Sequence, residues 1–246
     1  MQKKVLKIEN IPAVIWGDTS EKVIIAIHGN MSNKMDVPIK ILAQNVLVDG
    51  YQVLSFDLPE HGDRKDELTP CKVQCCVNEL TQIMKYAKEN WKHISIFANS
   101  IGAYFSLLAY RDEPIERAWF LSPVVDMQRI INNMMTWFNV TEDRLKREQT
   151  VPTPIGQKLY WDYYCYVNEH PIHNWHIPTT ILYGSEDDMC DRDTISHFVE
   201  QFPCELEIVQ GAEHYFHTPE QLKALNLWLK KTMCEMESNH VTEEKS

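Results

Sequence analysis

The chain has 246 residues, of which 44% are hydrophobic, enough for one sizeable domain with a full core. Its formal net charge of −11 argues against a nucleic-acid or anionic-membrane surface. No apolar run is long enough to span a bilayer, and no apolar h-region follows the N-terminal charges, so neither an anchor nor a secretory leader is expected.

The chain opens with Val5–Ile8 and Ala13–Trp16, which predict a short antiparallel pair turning near Glu9–Pro12. Val23–Ile27 is a continuous apolar run, as expected of a central strand buried on both faces. It ends in His28-Gly29-Asn30-Met31, a loop. Val37–Val48 has helical periodicity and stops at Asp49-Gly50. Gln52–Phe56 is the next strand and runs into the polar loop Asp57–Arg64. Val73–Glu89 predicts a long helix. Ile94–Ala98 is a strand, Ala103–Tyr110 a helix, and Arg117–Leu121 a strand.

After Ser122-Pro123 the alternation breaks. Residues 124–177 look helical in places, with no clear strand and eight aromatic residues between Met134 and His176, among them Trp137, Trp161, Tyr164 and Trp175. Strand and helix then alternate again at Thr179–Tyr183, Thr194–Gln201, Leu206–Val209 and Pro219 to about Met233. The rest, 235–246, is polar and is expected to be disordered. The implied class is α/β: a mostly parallel central sheet flanked by helices, with a core of 1–123 and 178–234 and a helical cap insertion of 124–177. Such an insertion would sit over the carboxyl edge of the sheet, where ligands bind in open α/β folds.

The chemistry concentrates at that edge. Ala98-Asn99-Ser100-Ile101-Gly102 puts a serine at a strand-to-helix turn between small residues, the nucleophile-elbow pattern with alanine for its first glycine. A serine before a helix is also an ordinary N-cap, so the motif needs partners. A serine hydroxyl needs a base, and the base needs an orienting acid. Gly184-Ser185-Glu186-Asp187-Asp188 follows one later strand, and Gly211-Ala212-Glu213-His214 follows the next.

On these motifs the chain resembles the α/β-hydrolase superfamily, in particular its small bacterial serine esterases and monoacylglycerol-lipase-like members. The resemblance spans roughly Val23 to Trp228 outside the insertion. It implies Ser100 as nucleophile, His214 as base and Asp187 as acid, with Asp188 and Asp126 as the alternatives for the acid. It also implies an oxyanion hole made by the backbone N–H groups of Ile101 and Asn30, Met31 being the less favoured donor. His28, in the H-G-x loop, reads as a structural brace. Asp57–Asp63 resembles the family's D-x-x-G-H-G loop with Glu60 in place of a glycine, and His61 receives no catalytic role.

The activity implied is hydrolysis of a small-molecule acyl ester, apolar or aromatic, through an acyl-enzyme. A thioesterase, amidase, acyltransferase or non-catalytic binding protein on the same fold is the alternative. No glycine-rich phosphate loop occurs, so no cofactor is expected. His170, His173 and His176 lack the acid or cysteine partners of a zinc site, so no metal is expected either. The seven scattered cysteines read as reduced thiols of a cytoplasmic protein.

Overall fold

A computed structural model describes residues 1–243, with side chains through Met233. The strands of its main sheet are β1 (Lys3–Ile8), β2 (Ile11–Trp16), β3 (Lys22–Ile27), β4 (Tyr51–Phe56), β5 (His93–Asn99) and β6 (Ala118–Leu121), completed later in the chain by Thr179–Gly184 and Cys204–Val209. Between β6 and Thr179 lies a two-stranded ribbon, β7 (Thr150–Pro152) with β8 (Lys158–Tyr160), so the last two sheet strands are β9 and β10. The helices are α1 (Val37–Val46), α2 (Val73–Asn90), α3 (Ile101–Ala109), α4 (Met127–Trp137), α5 (Glu142–Glu148), α6 (Trp161–Glu169), α7 (Arg192–Gln201) and α8 (Pro219–Glu243).

The eight strands run in the order β1-β2-β4-β3-β5-β6-β9-β10. β2 is antiparallel to both neighbours, and every pair from β4 to β10 is parallel. This is the mostly parallel, helix-flanked sheet that the sequence predicts.

The runs that read as continuously apolar are buried on both faces because helices cover both. Along β3, Val23, Ile25 and Ile27 enter the core shared with α2, α3 and α7, while Ile24 and Ala26 enter the core shared with α1 and α8. Successive side chains of a strand point to opposite faces, so one apolar run feeds two cores. Each fully buried Leu- or Ile-sized side chain contributes about 1.5–3 kcal/mol. α1 starts under the Asp36 carboxylate, which accepts the Val37 N–H at 2.8 Å, and has Pro38 in its first turn. Its path ends in a 3-10 turn, Leu47–Asp49, closed by Gly50 at φ 74°.

Between β6 and β9 the expectation of no strand is corrected by the β7–β8 ribbon. Three residues per strand are too few to display a period of two. The aromatic side chains here serve packing first. Trp175 is fully buried with its ring centroid 5.8 Å from that of Phe120. Trp161 and Tyr164 stack at 5.6 Å, and both rest on the larger core with Tyr163 and Tyr166. Lys72, before α2, reaches Asp162 of α6 at 2.8 Å, and Arg129 of α4 reaches Asp191, the cap of α7, at 2.6 Å. The last helix runs from Pro219 to Glu243, and 244–246, part of the tail expected to be disordered, lie outside the described residues. Among the described residues no helix is long and apolar enough to cross a membrane.

Candidate active site

Ser100 joins β5 to α3 with φ 52° and ψ −118°, a backbone conformation that side chains other than glycine rarely adopt. The turn is held from both sides. The Ser100 N–H donates to Leu121 O at 3.0 Å, and the Val124 N–H donates to Ser100 O at 3.1 Å. Small residues are needed around it for packing reasons. A Cβ on Gly102 would stand 2.7 Å from His28 O and 2.8 Å from Ile27 Cγ2, because α3 leaves the turn directly against the end of β3. Ala98, fully buried in β5, fits where the motif more often has glycine.

Two loops bring partners to this serine. Asp187 follows β9 and His214 follows β10, and the pairing of those strands aligns their ends, with Val209 opposite Gly184. The loops are laced together: Ser185 N–H to Val209 O at 3.0 Å, Glu186 N–H to Ala212 O at 2.9 Å, and Gly211 N–H to Ser185 Oγ at 2.8 Å. They approach so closely that a Cβ on Gly184 would lie 2.3 Å from Ala212 O. His214 Nε2 lies 2.7 Å from Ser100 Oγ, and His214 Nδ1 lies 2.7 Å from Asp187 Oδ2.

The Asp187 side chain is fully buried and its other oxygen, Oδ1, accepts the N–H groups of Met189 at 2.9 Å and Cys190 at 3.0 Å. Cys190 is held in turn by Tyr183 Oη, which donates to its carbonyl at 2.9 Å. These contacts leave Oδ2 for the imidazole, which places the ring proton on Nδ1 and the Nε2 lone pair toward the serine. Asp188, the next residue, is exposed. Asp126 is occupied elsewhere: it caps α4 by accepting the Arg129 N–H at 2.9 Å.

The loop after β3 backs onto the same serine, since a Cβ on Gly29 would lie 3.1 Å from Ser100 Cβ. His28 is buried, accepts the Leu58 N–H on Nε2 at 3.0 Å, and points Nδ1 at Gly29 O at 2.7 Å. Burial lowers its pKa to about 4 against the pull of that carbonyl, so it stays neutral and braces the loop. His61, in the loop to which the sequence gives no catalytic part, is a second brace. His61 holds Pro59 O through Nδ1 at 2.7 Å and accepts the Met31 N–H on Nε2 at 3.1 Å, beside Asn30 Oδ1 at 3.1 Å. The only sequence signal for it is the spacing from Asp57 to His61.

The segment carrying His61 is stapled to the sheet. Asp57 is buried, accepts the Lys34 backbone N–H at 2.8 Å and the Asp63 N–H at 2.9 Å, and pairs with the Lys34 ammonium. Arg64 donates to Asp57 O at 3.0 Å and forks onto Glu79 of α2 at 2.5 and 2.7 Å. Gly62 is required here: at φ 55° a Cβ would meet the Asp57 carboxylate at 2.2 Å.

Solved structures of the same architecture cover almost the whole chain. Est1E from Butyrivibrio proteoclasticus, with ferulic acid bound, is 19% identical with a TM-score of 0.76 over 96% of this chain and 99% of that one. Alpha/beta hydrolase domain-containing protein 10 from mouse is 12% identical with a TM-score of 0.76 over 96% and 100%. An esterase from Pyrococcus furiosus is 18% identical with a TM-score of 0.67 over 97% and 90%. No protein-family model and no curated protein matches the sequence. Strand order, the turn at Ser100 and these likenesses together lead to one conclusion: the chain has the α/β-hydrolase fold.

Proposed function

We propose that the chain is a serine hydrolase that cleaves carboxylic esters through an acyl-enzyme, with Ser100 as nucleophile, His214 as base and Asp187 as acid. The observation that carries this reading is the run of two 2.7 Å contacts from Ser100 Oγ through His214 to the buried Asp187 carboxylate. His214 takes the Ser100 proton as Oγ attacks the ester carbonyl, then gives it to the leaving alcohol. Asp187 keeps the ring in the tautomer that can accept and balances the charge it acquires. Water enters by the same route in reverse and releases the acid.

Negative charge on the carbonyl oxygen is met by two backbone N–H groups, those of Ile101 and Asn30. Ile101 is the first residue of α3, where the helix dipole also favours an anion. The claim of Asn30 over Met31 is supported by His61, which already takes the Met31 N–H. No cofactor is needed for these steps.

An apolar or aromatic acyl group fits the surroundings. Met31 and Tyr215, beside the oxyanion loop and the base, are 93% and 59% exposed. Ferulic acid, bound by the similarly folded Est1E, is an aromatic acid. Residues 124–177 are read as the cap that sets this preference. A cytoplasmic setting suits the six described cysteines, all free thiols.

The test is labelling with a fluorophosphonate, followed by a panel of aryl esters, acyl thioesters and acyl amides. Covalent labelling of Ser100 in the native protein, absent from Ser100→Ala, together with fastest turnover on esters, is the expected result. An unlabelled Ser100 in folded protein would sink the catalytic reading, and a preference for thioesters would sink the substrate class.

A further inference from the structure

The thiols of Cys71 and Cys76 face each other at 3.7 Å, at the start of α2. Cys76 is fully buried and Cys71 is partly exposed, next to the exposed stretch 65–69. Cys71 lies beside His61, the residue that holds the Met31 N–H and, through it, the loop carrying Asn30. The Cys71 N–H donates to Glu60 Oε2 at 2.7 Å, and Glu60 has φ 62°, so the thiol pair and the His61 brace share one strained turn.

The two thiols are unequal. The hydrogen bond from Cys76 lowers the Cys71 pKa to about 6, and the neighbouring His61 imidazole outweighs much of the opposing effect of burial. Burial pushes the Cys76 thiol well up. His61 is affected reciprocally: burial lowers its pKa, but Cys71 and the Pro59 carbonyl outweigh burial and raise it. A thiolate-rich, accessible Cys71 beside a protonated Cys76 is an attacking and resolving pair.

We propose that Cys71 and Cys76 are a peroxide-sensing dithiol whose closure to a disulfide releases His61 from the oxyanion loop. The Cys71 thiolate attacks one oxygen of hydrogen peroxide. An S–O bond forms, the O–O bond breaks, and hydroxide leaves and is protonated to water. Cys76 sulfur then attacks Cys71 sulfur, the S–S bond forms, the S–O bond breaks, and a second water leaves with the Cys76 proton. Two thiols lose two electrons and one peroxide becomes two waters. The sulfurs must close from 3.7 Å to about 2.05 Å for the bond to form. Closure draws the Cys71 sulfur toward Cys76 and removes its charge from beside His61. Pro59 O still holds Nδ1, but the turn that the Cys71 N–H ties through Glu60 shifts beside His61 and loosens the imidazole's hold on the Met31 N–H.

The experiment treats the native chain with hydrogen peroxide under non-reducing conditions. It then blocks remaining thiols with iodoacetamide, maps the peptides by mass spectrometry, and follows amide exchange at Met31 and hydrolysis of an aryl ester. Expected are a Cys71–Cys76 cross-link that weighs two hydrogens less than the free pair, faster exchange at Met31, and a fall in turnover on the order of tenfold, a fraction of what losing an oxyanion donor costs. Dithiothreitol should reverse all three. Cys76→Ser should instead accumulate a sulfenic acid at Cys71 that dimedone captures, and Cys71→Ser should be indifferent to peroxide. Both thiols remaining alkylatable, or a cross-link from Cys71 to its other neighbour Cys75, overturns the proposal. A Cys71–Cys76 cross-link with unchanged Met31 exchange overturns the coupling. Only the turnover arm rests on the ester-hydrolase reading; the mapping and exchange arms report on the dithiol even if no ester is cleaved.

Discussion

Asp187→Asn is the substitution for which the structure makes the strongest demand. Asparagine has the same shape, so the buried site keeps its packing. Its amide must still choose an orientation. Met189 and Cys190 both present N–H groups to the Oδ1 position, at 2.9 and 3.0 Å. An amide nitrogen there would face two donors and leave two N–H groups unpaired, the buried one on Cys190 at a cost of about 1–3 kcal/mol. The amide oxygen therefore stays, and the NH₂ turns toward His214 Nδ1, now 2.7 Å from a donor instead of an acceptor. The imidazole answers by moving its proton to Nε2, which then points a hydrogen at Ser100 Oγ and cannot take one away. In serine proteases that tautomer error lowers kcat by about 10⁴-fold, equivalent to about 5.5 kcal/mol of barrier. We expect a loss of that order in kcat on a p-nitrophenyl ester, with the circular dichroism spectrum and melting temperature near wild type. Asp188→Asn, at an exposed position, and Asp126→Asn, a helix cap, should stay within tenfold. A folded Asp187→Asn protein with near wild-type kcat, or a crippled Asp188→Asn or Asp126→Asn, would refute the argument from the two fixed N–H groups.

Other expectations follow from neighbouring features. Ser100→Ala should abolish ester turnover and fluorophosphonate labelling while leaving the melting temperature within a few degrees, and retained turnover on every substrate would remove Ser100 from its role. Gly184→Ala must push a Cβ into Ala212 O, so the loops carrying Asp187 and His214 should separate. We expect destabilisation of about 1–3 kcal/mol by urea titration and a fall in kcat of more than tenfold; an unperturbed enzyme would contradict the close approach. For pH, burial holds the folded-state pKa of His28 at about 4, below the unfolded value of about 6.5. Between those values the unfolded chain binds the extra proton, so stability is full above about pH 6.5 and is lost as pH falls toward 4. From pH 7 to pH 5 this one group should remove about 2 kcal/mol, read as the difference between wild type and His28→Gln in denaturant titrations at the two pH values. Equal pH slopes in the two proteins would contradict it.

Strand positions were legible in the sequence because strands buried on both faces are mostly apolar, as in Val23–Ile27, with few polar residues such as Ser55 and Ser95. The turn at Ser100 was legible because its requirements are local: small residues at 98 and 102, a strand before and a helix after. The G-x-x-D and G-x-x-H loops were legible as motifs placed after strands. Their meeting was not, because residues 100, 187 and 214 share a site only once β5, β6, β9 and β10 are set in order in one parallel register. The orientation of Asp187 was decided by the backbone N–H groups of Met189 and Cys190, which no side-chain pattern announces. A three-residue ribbon at β7 and β8 was too short to show a period, and its pairing is a property of the folded chain. His61 stood in the sequence as part of a D-x-x-G-H-G-like loop with no catalytic role. Its hold on the Met31 N–H, and its place beside Cys71, exist only because the loop after β4 folds back across the loop after β3. Sequence dictates what each segment must bury, and burial is a local demand; which polar groups then face one another depends on distances across the sheet, and only the tertiary structure sets those.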